Sequence, residues 1–275
     1  MKRIRLILEY EGSSYVGWQL QPNGISVQQV LQNAILGVTG ENVSIIGSGR
    51  TDSGVHARAQ VAHFDTAAHM PADKFAVALN THLPPDIRVL HSGQAPDDFH
   101  ACFSAKQKQY RYMIQLGHHA RVGTRRTALH LHMAPDFELM QQAAAACVGT
   151  HDFRAFMASG SKPMEDTRRT IYASEWTRDV ADGQCPPLRS ENRKLKTENR
   201  CLWHYNVTGS GFLYNMVRIL VGTMLEIGSG KLPPDAMEKA LAGKSRTLAG
   251  PTAPAHGLTL FRVCYPDFDT EDYLS

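Results

Sequence analysis

The segment GSGRTDSGVHA, residues 47 to 57, holds the residues best suited to chemistry. Arg50 and Asp52 are separated by one residue and framed by glycines, which let a backbone turn sharply and approach a ligand. A carboxylate at the tip of such a loop can act as a nucleophile or as a base. The spacing alone equally fits a type I turn over residues 51–54, with a preferred residue at each corner. The segment therefore needs support from the rest of the chain.

Segments along most of the chain are similar to those of one family. GRTDSGVHA resembles the GRTDAGVHA signature of the tRNA pseudouridine synthase A (TruA) family, with Ser53 in place of alanine. The other matching residues are Tyr10, Gly12, Tyr15, Gly17, Trp18, Gln19, QVAHFD at 60–65, Leu79-Asn80, Leu83-Pro84, Asp86-Ile87, Tyr110, Tyr112, FLYNMVRILVG at 212–222 and Gly257-Leu258. The resemblance covers nearly the whole sequence.

The resemblance implies isomerisation of uridine to pseudouridine, in which the base leaves C1′ of its ribose, turns over and rejoins through C5. It assigns Asp52 as the catalytic nucleophile, and it implies no cofactor and no metal. A carboxylate suits this chemistry because the sugar develops positive charge at C1′. Attack at C1′, addition to C6 of the base and removal of a ribose proton are all open routes for Asp52.

Arg218 is the only cation in an otherwise apolar stretch, residues 212–228. An unpaired charge in such a stretch would be costly, so we expect it to have a partner. The resemblance makes that partner Asp52, and the salt bridge would keep the carboxylate ionised and oriented. The alternatives are that Arg218 extends its guanidinium to solvent, or pairs with Glu226 or another acid.

Tyr110 and Arg50 are the residues that the resemblance assigns to substrate binding. The reaction needs the base out of its stack, and the first tyrosine of the family's Y-x-Y pair, here Tyr110, stacks on the target uracil. Its spacing from Tyr112 puts both rings on one face of a strand, so two packed core aromatics are the alternative. Arg50 is expected to reach substrate phosphates or to help evert the target nucleotide.

One residue departs from the family pattern. The family commonly reads HARFSA, whereas residues 100–105 of this chain read HACFSA, with Cys102 in the arginine position. If that arginine contacts RNA, its loss should weaken binding and flatten the salt dependence of binding. The region of Arg121 and Arg125 is a candidate for compensation.

Composition limits the class of protein. The 275 residues carry a formal net charge of +3, and no segment approaches the run of roughly 20 apolar residues that spans a bilayer. Basic residues cluster at 121–126, 168–169 and 189–200, which suits a phosphate backbone but equally fits solvated loops. The 13 histidines form no H-E-x-x-H motif and the 5 cysteines no C-x-x-C pair, so we expect no metal site.

Hydrophobic periodicity predicts strands mixed with helices. Residues 3–8 alternate as in a strand, and Ser26 with Gln29 forms a capping box that opens a helix ending at Gly40. Further helices are expected over 71–83, from Asp136 to near Gly149, and over 212–228. Further strands are expected over 43–46, 60–64, within 102–117, over 201–207 and after residue 258. Residues 179–200 are polar and are expected to form an exposed loop or mobile insertion.

These elements predict an α+β protein with a mainly antiparallel mixed sheet and helices packed on it. Two similar α+β halves sharing a central cleft are expected, as in the pseudouridine synthase fold that the resemblance implies. Residues 1–105 would carry the Asp52 loop, and residues 106–275 would carry Tyr110 and the Arg218 helix.

The resemblance also implies tRNA as the partner, with target uridines at positions 38–40 in the anticodon stem-loop. It implies a homodimer in which both subunits contact the tRNA. The N-terminal segment MKRIRLILEY alternates like a strand and lacks a following cleavage site, so we expect a cytoplasmic protein. The alternatives are a catalytically silent tRNA-binding protein on the same scaffold and a pseudouridine synthase acting on another RNA.

Overall fold

A computed structural model of the protein describes residues 1–158, 164–180 and 201–274. The strands of these residues are β1 (Lys2–Tyr10), β2 (Ile46–Gly47), β3 (His56–Thr66), β4 (Ile87–Ala95), β5 (Gln107–Leu116), β6 (Leu129–Leu131), β7 (Gly149–Asp152), β8 (Arg168–Val180), β9 (Cys201–Gly209) and β10 (Leu258–Cys264). Their α-helices are α1 (Val27–Thr39), α2 (Phe75–Asn80), α3 (Phe137–Ala145), α4 (Met216–Gly228) and α5 (Ala236–Gly243). The sequence correctly predicted an α+β protein.

The chain divides into two compact units. The first contains residues 1–109 and returns at the C-terminal end of the chain with residues 259–275, whereas the second contains residues 110–258. The domain boundary near residue 105 stays a prediction, to which this division adds that the last strand belongs with the first unit.

The sheet of the first unit has the strand order β4-β1-β3-β10, with β2 paired to β3. The pairs β1–β3, β1–β4 and β2–β3 are antiparallel, and β10 runs parallel to β3. The predicted strand over 3–8 is confirmed by β1, in which Ile4, Leu6 and Leu8 are fully buried. The sheet is therefore mixed but mainly antiparallel, as the sequence predicted.

Helix α1 confirms the predicted capping signals. Ser26 is extended and its Oγ accepts a hydrogen bond from the Gln29 backbone at 3.2 Å, and Gly40 ends the helix in the left-handed conformation. The strand predicted over 43–46 is shorter than expected, because only Ile46 and Gly47 pair with β3. The side chains of α1 satisfy the preceding backbone instead: Gln28 Nε2 donates to the carbonyl of Ile45 at 2.9 Å.

Helix α2 is shorter than the segment predicted over 71–83. It spans Phe75–Asn80 and is preceded by a 3₁₀ turn over Ala72–Lys74. The Phe75 ring packs edge-on against Phe64 of β3, with 5.6 Å between centroids. This aromatic pair fixes α2 on the sheet.

The second unit has the strand order β5-β9-β8-β7, with β6 parallel to β5. Strands β7, β8 and β9 pair antiparallel, and Trp203 and Tyr205 of β9 are fully buried. Asp179 and Val180 end β8, which corrects the prediction that a loop begins at residue 179. The other residues of that predicted loop, 181–200, lie outside the described residues.

The helices of the second unit differ from the predictions at their ends. Helix α4 begins at Met216 rather than at 212, because Asn215 has a φ of 59°, a left-handed conformation that an α-helix cannot contain. Helix α3 ends at Ala145, and Gly149 starts strand β7 instead of ending the helix. The two helices meet where the Asp136 backbone donates to the carbonyl of Gly228 at 2.7 Å.

Within the part of the chain that the structure describes, no helix has the length and apolar character needed to cross a membrane.

Candidate active site

Asp52 lies on a tight turn between β2 and β3. The Asp52 carbonyl accepts a hydrogen bond from the Val55 backbone at 3.1 Å, which closes a four-residue turn over residues 52–55. Gly54, the third residue, has a φ of 79°, as a type II turn requires. The turn thus lies one residue later than the type I alternative, and the glycine of the motif supplies a backbone conformation that other residues rarely adopt.

A buried polar network supports the turn from beneath. The hydroxyls of Tyr10 and Thr51 are 2.8 Å apart, and burial raises the pKa of Tyr10, which keeps its hydroxyl protonated. Gln60 Nε2 donates to the carbonyl of Gly49 at 2.9 Å, and its Oε1 accepts from Ser48 Oγ at 2.6 Å. Because these groups are buried and paired, the backbone on both sides of Arg50 is held in place.

The segment after β1 holds the turn from its other side. The Trp18 backbone donates to the carbonyl of Thr51 at 3.1 Å, and Ser53 Oγ donates to the carbonyl of Tyr15 at 3.3 Å. The approach is close: a Cβ atom on Gly17 would lie 2.5 Å from the Thr51 carbonyl oxygen, so only glycine fits there. Tyr15, Gly17 and Trp18 thus contact the turn. In the sequence they matched residues of the family but had no assigned role.

Arg50 and Asp52 differ in exposure from the residue between them. Arg50 is exposed, Thr51 is buried and Asp52 is half-buried, so the arginine and the carboxylate flank an anchored residue. Arg50 therefore lies two residues before the anchored turn over residues 52–55, which begins with Asp52.

Tyr110 belongs to β5, in the second unit, and its ring is buried with 7% exposure. It packs edge-on against Phe212, with 5.1 Å between ring centroids and an angle of 83°. Tyr112 is fully buried, and its hydroxyl donates to the carbonyl of Pro254 at 2.9 Å. Tyr112 is thus a core aromatic residue, whereas the stacking role of Tyr110 stays a prediction.

Arg218 lies in the first turn of α4, and its guanidinium is oriented by two short hydrogen bonds. Nε donates to the carbonyl of Ala253 at 2.7 Å, and Nη1 donates to Asn215 Oδ1 at 2.6 Å. Glu226, which the sequence offered as an alternative partner, accepts from Lys231 Nζ at 3.0 Å. The salt bridge between Arg218 and Asp52 stays a prediction.

Sequence reasoning missed the residues that support the turn. Gln60 was predicted as a strand residue within the QVAHFD match to the family, and Ser48 as part of a glycine-rich turn, but neither was assigned a role in supporting the turn. A signal was present, because Gln60 is a polar residue in the apolar segment QVAHF and is fully buried. A buried glutamine needs several hydrogen-bond partners, which the adjacent turn supplies.

The histidines that could suggest a metal have other roles. His130 Nε2 lies 2.7 Å from the carbonyl of Gly117, and His151 Nε2 lies 3.0 Å from that of Val148. Among the residues that the structure describes, no group of three or more His, Cys, Asp or Glu side chains could hold a metal ion.

Comparison with known proteins identifies the family. A family model described as tRNA pseudouridine synthase matches residues 6–104 and 143–266. The chain belongs to the tRNA pseudouridine synthase family. Pseudouridine synthases are isomerases, so the protein is an enzyme of the isomerase class.

Relatives in this family match the chain over nearly its full length. The tRNA pseudouridine synthase A of Acetivibrio thermocellus is 42% identical over 265 residues, which cover 96% of this chain and 100% of the relative. Proteins of the same name from Halalkalibacterium halodurans and Syntrophotalea carbinolica are 44% and 43% identical, and cover 94% and 98% of this chain. The matches cover 90% and 98% of these two relatives.

Proposed function

We propose that this enzyme isomerises uridine to pseudouridine in tRNA, with Asp52 as the catalytic nucleophile. The observation that supports this most directly is the turn over residues 52–55, whose backbone is anchored on both sides and whose first residue, Asp52, is half-buried. A preorganised carboxylate reacts without the cost of ordering a flexible loop. Membership of the tRNA pseudouridine synthase family supports both the reaction and the substrate.

The reaction balances without an external reagent. The bond from C1′ to N1 breaks, a bond from C1′ to C5 forms, and the proton on C5 is lost as N1 gains one. The carboxylate of Asp52 could attack C1′, add to C6 or remove a ribose proton, and each route needs it ionised. None needs a redox partner or an activated cosubstrate, and we therefore propose that the enzyme uses no cofactor and no metal.

We assign Arg218 as the salt-bridge partner of Asp52. A guanidinium beside a carboxylate favours the charged form and fixes its orientation. The two hydrogen bonds from Arg218 to Asn215 and Ala253 support this role, because they fix the direction of the guanidinium before substrate binds. Lysine could not replace this residue, since it lacks the planar set of donors.

Tyr110 and Arg50 are assigned to substrate binding. Tyr110 would receive the face of the everted uracil, and its edge-on contact with Phe212 supports this by fixing the plane of the ring. Arg50 is exposed two residues before Asp52, so its guanidinium can reach a phosphate beside the target nucleotide.

We propose uridines 38–40 of the anticodon stem-loop as the targets, a homodimer as the active form and the cytoplasm as the location. These assignments rest on the family resemblance. Clusters of basic residues, such as Arg121, Arg125 and Arg126, suit contacts with the phosphates of a folded RNA. Shape recognition of this kind would allow several neighbouring uridines to be modified.

The test uses unmodified tRNA transcripts incubated with enzyme and EDTA, followed by mapping of pseudouridine at single-nucleotide resolution. Wild type should form pseudouridine at positions 38–40, and Asp52→Asn should lower the single-turnover rate at least about a hundredfold. Ser53→Ala is the matched control, because it changes the adjacent residue to the one typical of the family and should retain activity. Tight tRNA binding without product from wild type would support a silent RNA-binding protein instead.

A further inference from the structure

Phe103 is an exposed aromatic residue in a folded part of the first unit. Its exposure is 84%, and between residues 91 and 121, all of which the structure describes, no other large apolar side chain is exposed. One face of its ring stacks on His100, with 4.2 Å between centroids and 20° between planes. The opposite face of Phe103 is open to solvent.

The turn that carries this pair is closed by its own hydrogen bonds. His100 Nδ1 accepts from the backbones of Cys102 and Phe103 at 3.2 and 3.1 Å. The His100 backbone donates to Ser104 Oγ at 3.0 Å, and the Ser104 backbone donates to the carbonyl of His100 at 2.9 Å. The imidazole and the phenyl ring are therefore held in a defined orientation.

Buried residues fix the base of the turn. The Ala101 backbone donates to His63 Nδ1 at 3.2 Å, and its carbonyl accepts from the Tyr265 hydroxyl at 2.5 Å. The ring of His63 lies edge-on to that of His100 at 5.2 Å. Because these contacts anchor the turn without the ring of Phe103, the exposed ring adds little to folding and is accessible to a ligand.

The surroundings of Phe103 favour a nucleobase as its partner. A protein partner needs a contiguous apolar surface of several residues, whereas a base needs only one flat ring on which to stack. Asp97 and Asp98 are exposed nearby in the chain, and their charges oppose close phosphate contacts. Binding through the face of an unpaired base avoids that repulsion.

The segment after Phe103 leads directly to the candidate catalytic turn. Lys106 is exposed, and Lys108 Nζ donates to the carbonyl of Ser48 at 2.5 Å, two residues before Arg50. Lys108 thus ties the strand that follows the stacked pair to the segment that leads into the turn of Asp52, within the first unit.

We propose that the Phe103–His100 stack binds an unpaired base of the tRNA, separate from the target uridine. This inference rests on the proposed function in that the ligand is the substrate RNA. The binding would be tolerant of base identity, because every base has an aromatic face.

The experiment measures tRNA affinity for Phe103→Ala, Phe103→Leu and Phe103→Trp at several salt concentrations. We expect the alanine and leucine variants to bind between about 5-fold and 100-fold more weakly, and the tryptophan variant to bind as wild type. The slope of log Kd against log salt should stay unchanged, because stacking releases no counterions. Val77→Ala is the matched control, since Val77 is 70% exposed on helix α2 of the same unit.

Wild-type affinity in Phe103→Ala, or a leucine variant equal to tryptophan, would overturn the inference. So would dissociation of an oligomer by Phe103→Ala in sedimentation, which would mark a protein contact instead. Pseudouridine mapping on the same wild-type preparation separates the two proposals. If wild type forms no pseudouridine but binding still depends on Phe103, the proposed reaction fails and the base-binding site stands.

Discussion

Cys102 lies within the turn that carries the stacked pair, where the family commonly has arginine, and is a half-buried free thiol. Cys102→Arg adds a cation where the neighbouring acids now dominate. We expect the variant to bind tRNA several-fold more tightly, and the salt slope to steepen by about 0.7 to 0.9 for each further phosphate that the arginine neutralises. Turnover at saturating tRNA should not change. Cys102→Ser is the neutral control, and an arginine variant with unchanged affinity would show that this position does not contact the RNA.

Asn215 is the residue that most directly orients Arg218. Its left-handed φ of 59° places Oδ1 2.6 Å from the Arg218 guanidinium. Asn215→Gly keeps that backbone conformation and removes the oxygen, so we expect a rate loss of about tenfold, comparable to a hydrogen bond to a charged group. The affinity for tRNA and the melting temperature should change little. Single-turnover kinetics and thermal unfolding measure these two effects.

Asn215→Ala is the companion variant. Alanine removes the same oxygen but also strains the left-handed backbone, which costs about 1–2 kcal/mol. It should therefore lose the same rate as the glycine variant and also unfold at a lower temperature. A glycine variant with full activity would show that Asn215 only ends the loop before α4.

The turn over residues 52–55 can be tested as an element. Gly54→Ala places an alanine where the backbone has a φ of 79°. Gly40→Ala is the comparison variant, because Gly40 ends α1 with a similar φ of 74° and a Cβ atom there would meet nothing within 4 Å. Both variants should lose about 1–2 kcal/mol of folding free energy. Only Gly54→Ala should also lose activity at a temperature where both remain folded. Equal activity of the two variants would show that the turn geometry does not position Asp52.

Local signals in the sequence predicted the elements that they control directly. Helix α1 was predicted correctly because Ser26, its apolar spacing and Gly40 all lie within the helix or beside it. The start of α4 was wrong because apolar residues continue back to Phe212, and nothing in their spacing reveals the left-handed Asn215. Of the strand predicted over 43–46 only Ile46 pairs, because Gln28 and Gln32 of α1 bind the carbonyls of Ile45 and Val43 that a neighbouring strand would have paired.

The candidate site was predictable where the motif itself carries the chemistry. Asp52 begins the turn over residues 52–55, and Arg50 lies two residues before it. The support from Gln60 and Tyr10 was not predictable from spacing, because strands β1 and β3 bring these residues together only after the sheet has formed. The residue types of the motif predict the chemistry. The register of the sheet determines which residues support the turn that carries the motif.

A buried histidine, His63, links the stability of the folded protein to pH. Burial, followed by the charges of Arg3 and His100, lowers the pKa of His63 from its usual 6.5 to about 4. His63 is 3% exposed, and its Nδ1 accepts from the Ala101 backbone at 3.2 Å. The folded protein therefore holds His63 neutral at a pH where the unfolded chain would protonate it.

The direction of the pH effect follows from this difference. Between about pH 6.5 and pH 4 the unfolded chain binds more protons than the folded protein, so stability falls as the pH falls through this range. At pH 5 this difference in proton binding by His63 lowers the free energy of unfolding by about 1–2 kcal/mol relative to neutral pH. Burial and the charge of Arg5 lower the pKa of His91 too, which adds to the loss in the same direction.

His63→Asn tests this linkage, because the asparagine oxygen can accept the Ala101 hydrogen bond but does not titrate. The measurement is the free energy of unfolding in urea at pH 7.5 and at pH 5, for wild type and variant. Wild type should lose more stability than the variant between the two pH values, whatever the absolute stability of each. An equal loss in both proteins would mean that His63 is protonated in the folded state. A protonated Nδ1 could no longer accept from the Ala101 backbone. The His63 ring would then have to donate to an acceptor in the turn that carries Phe103.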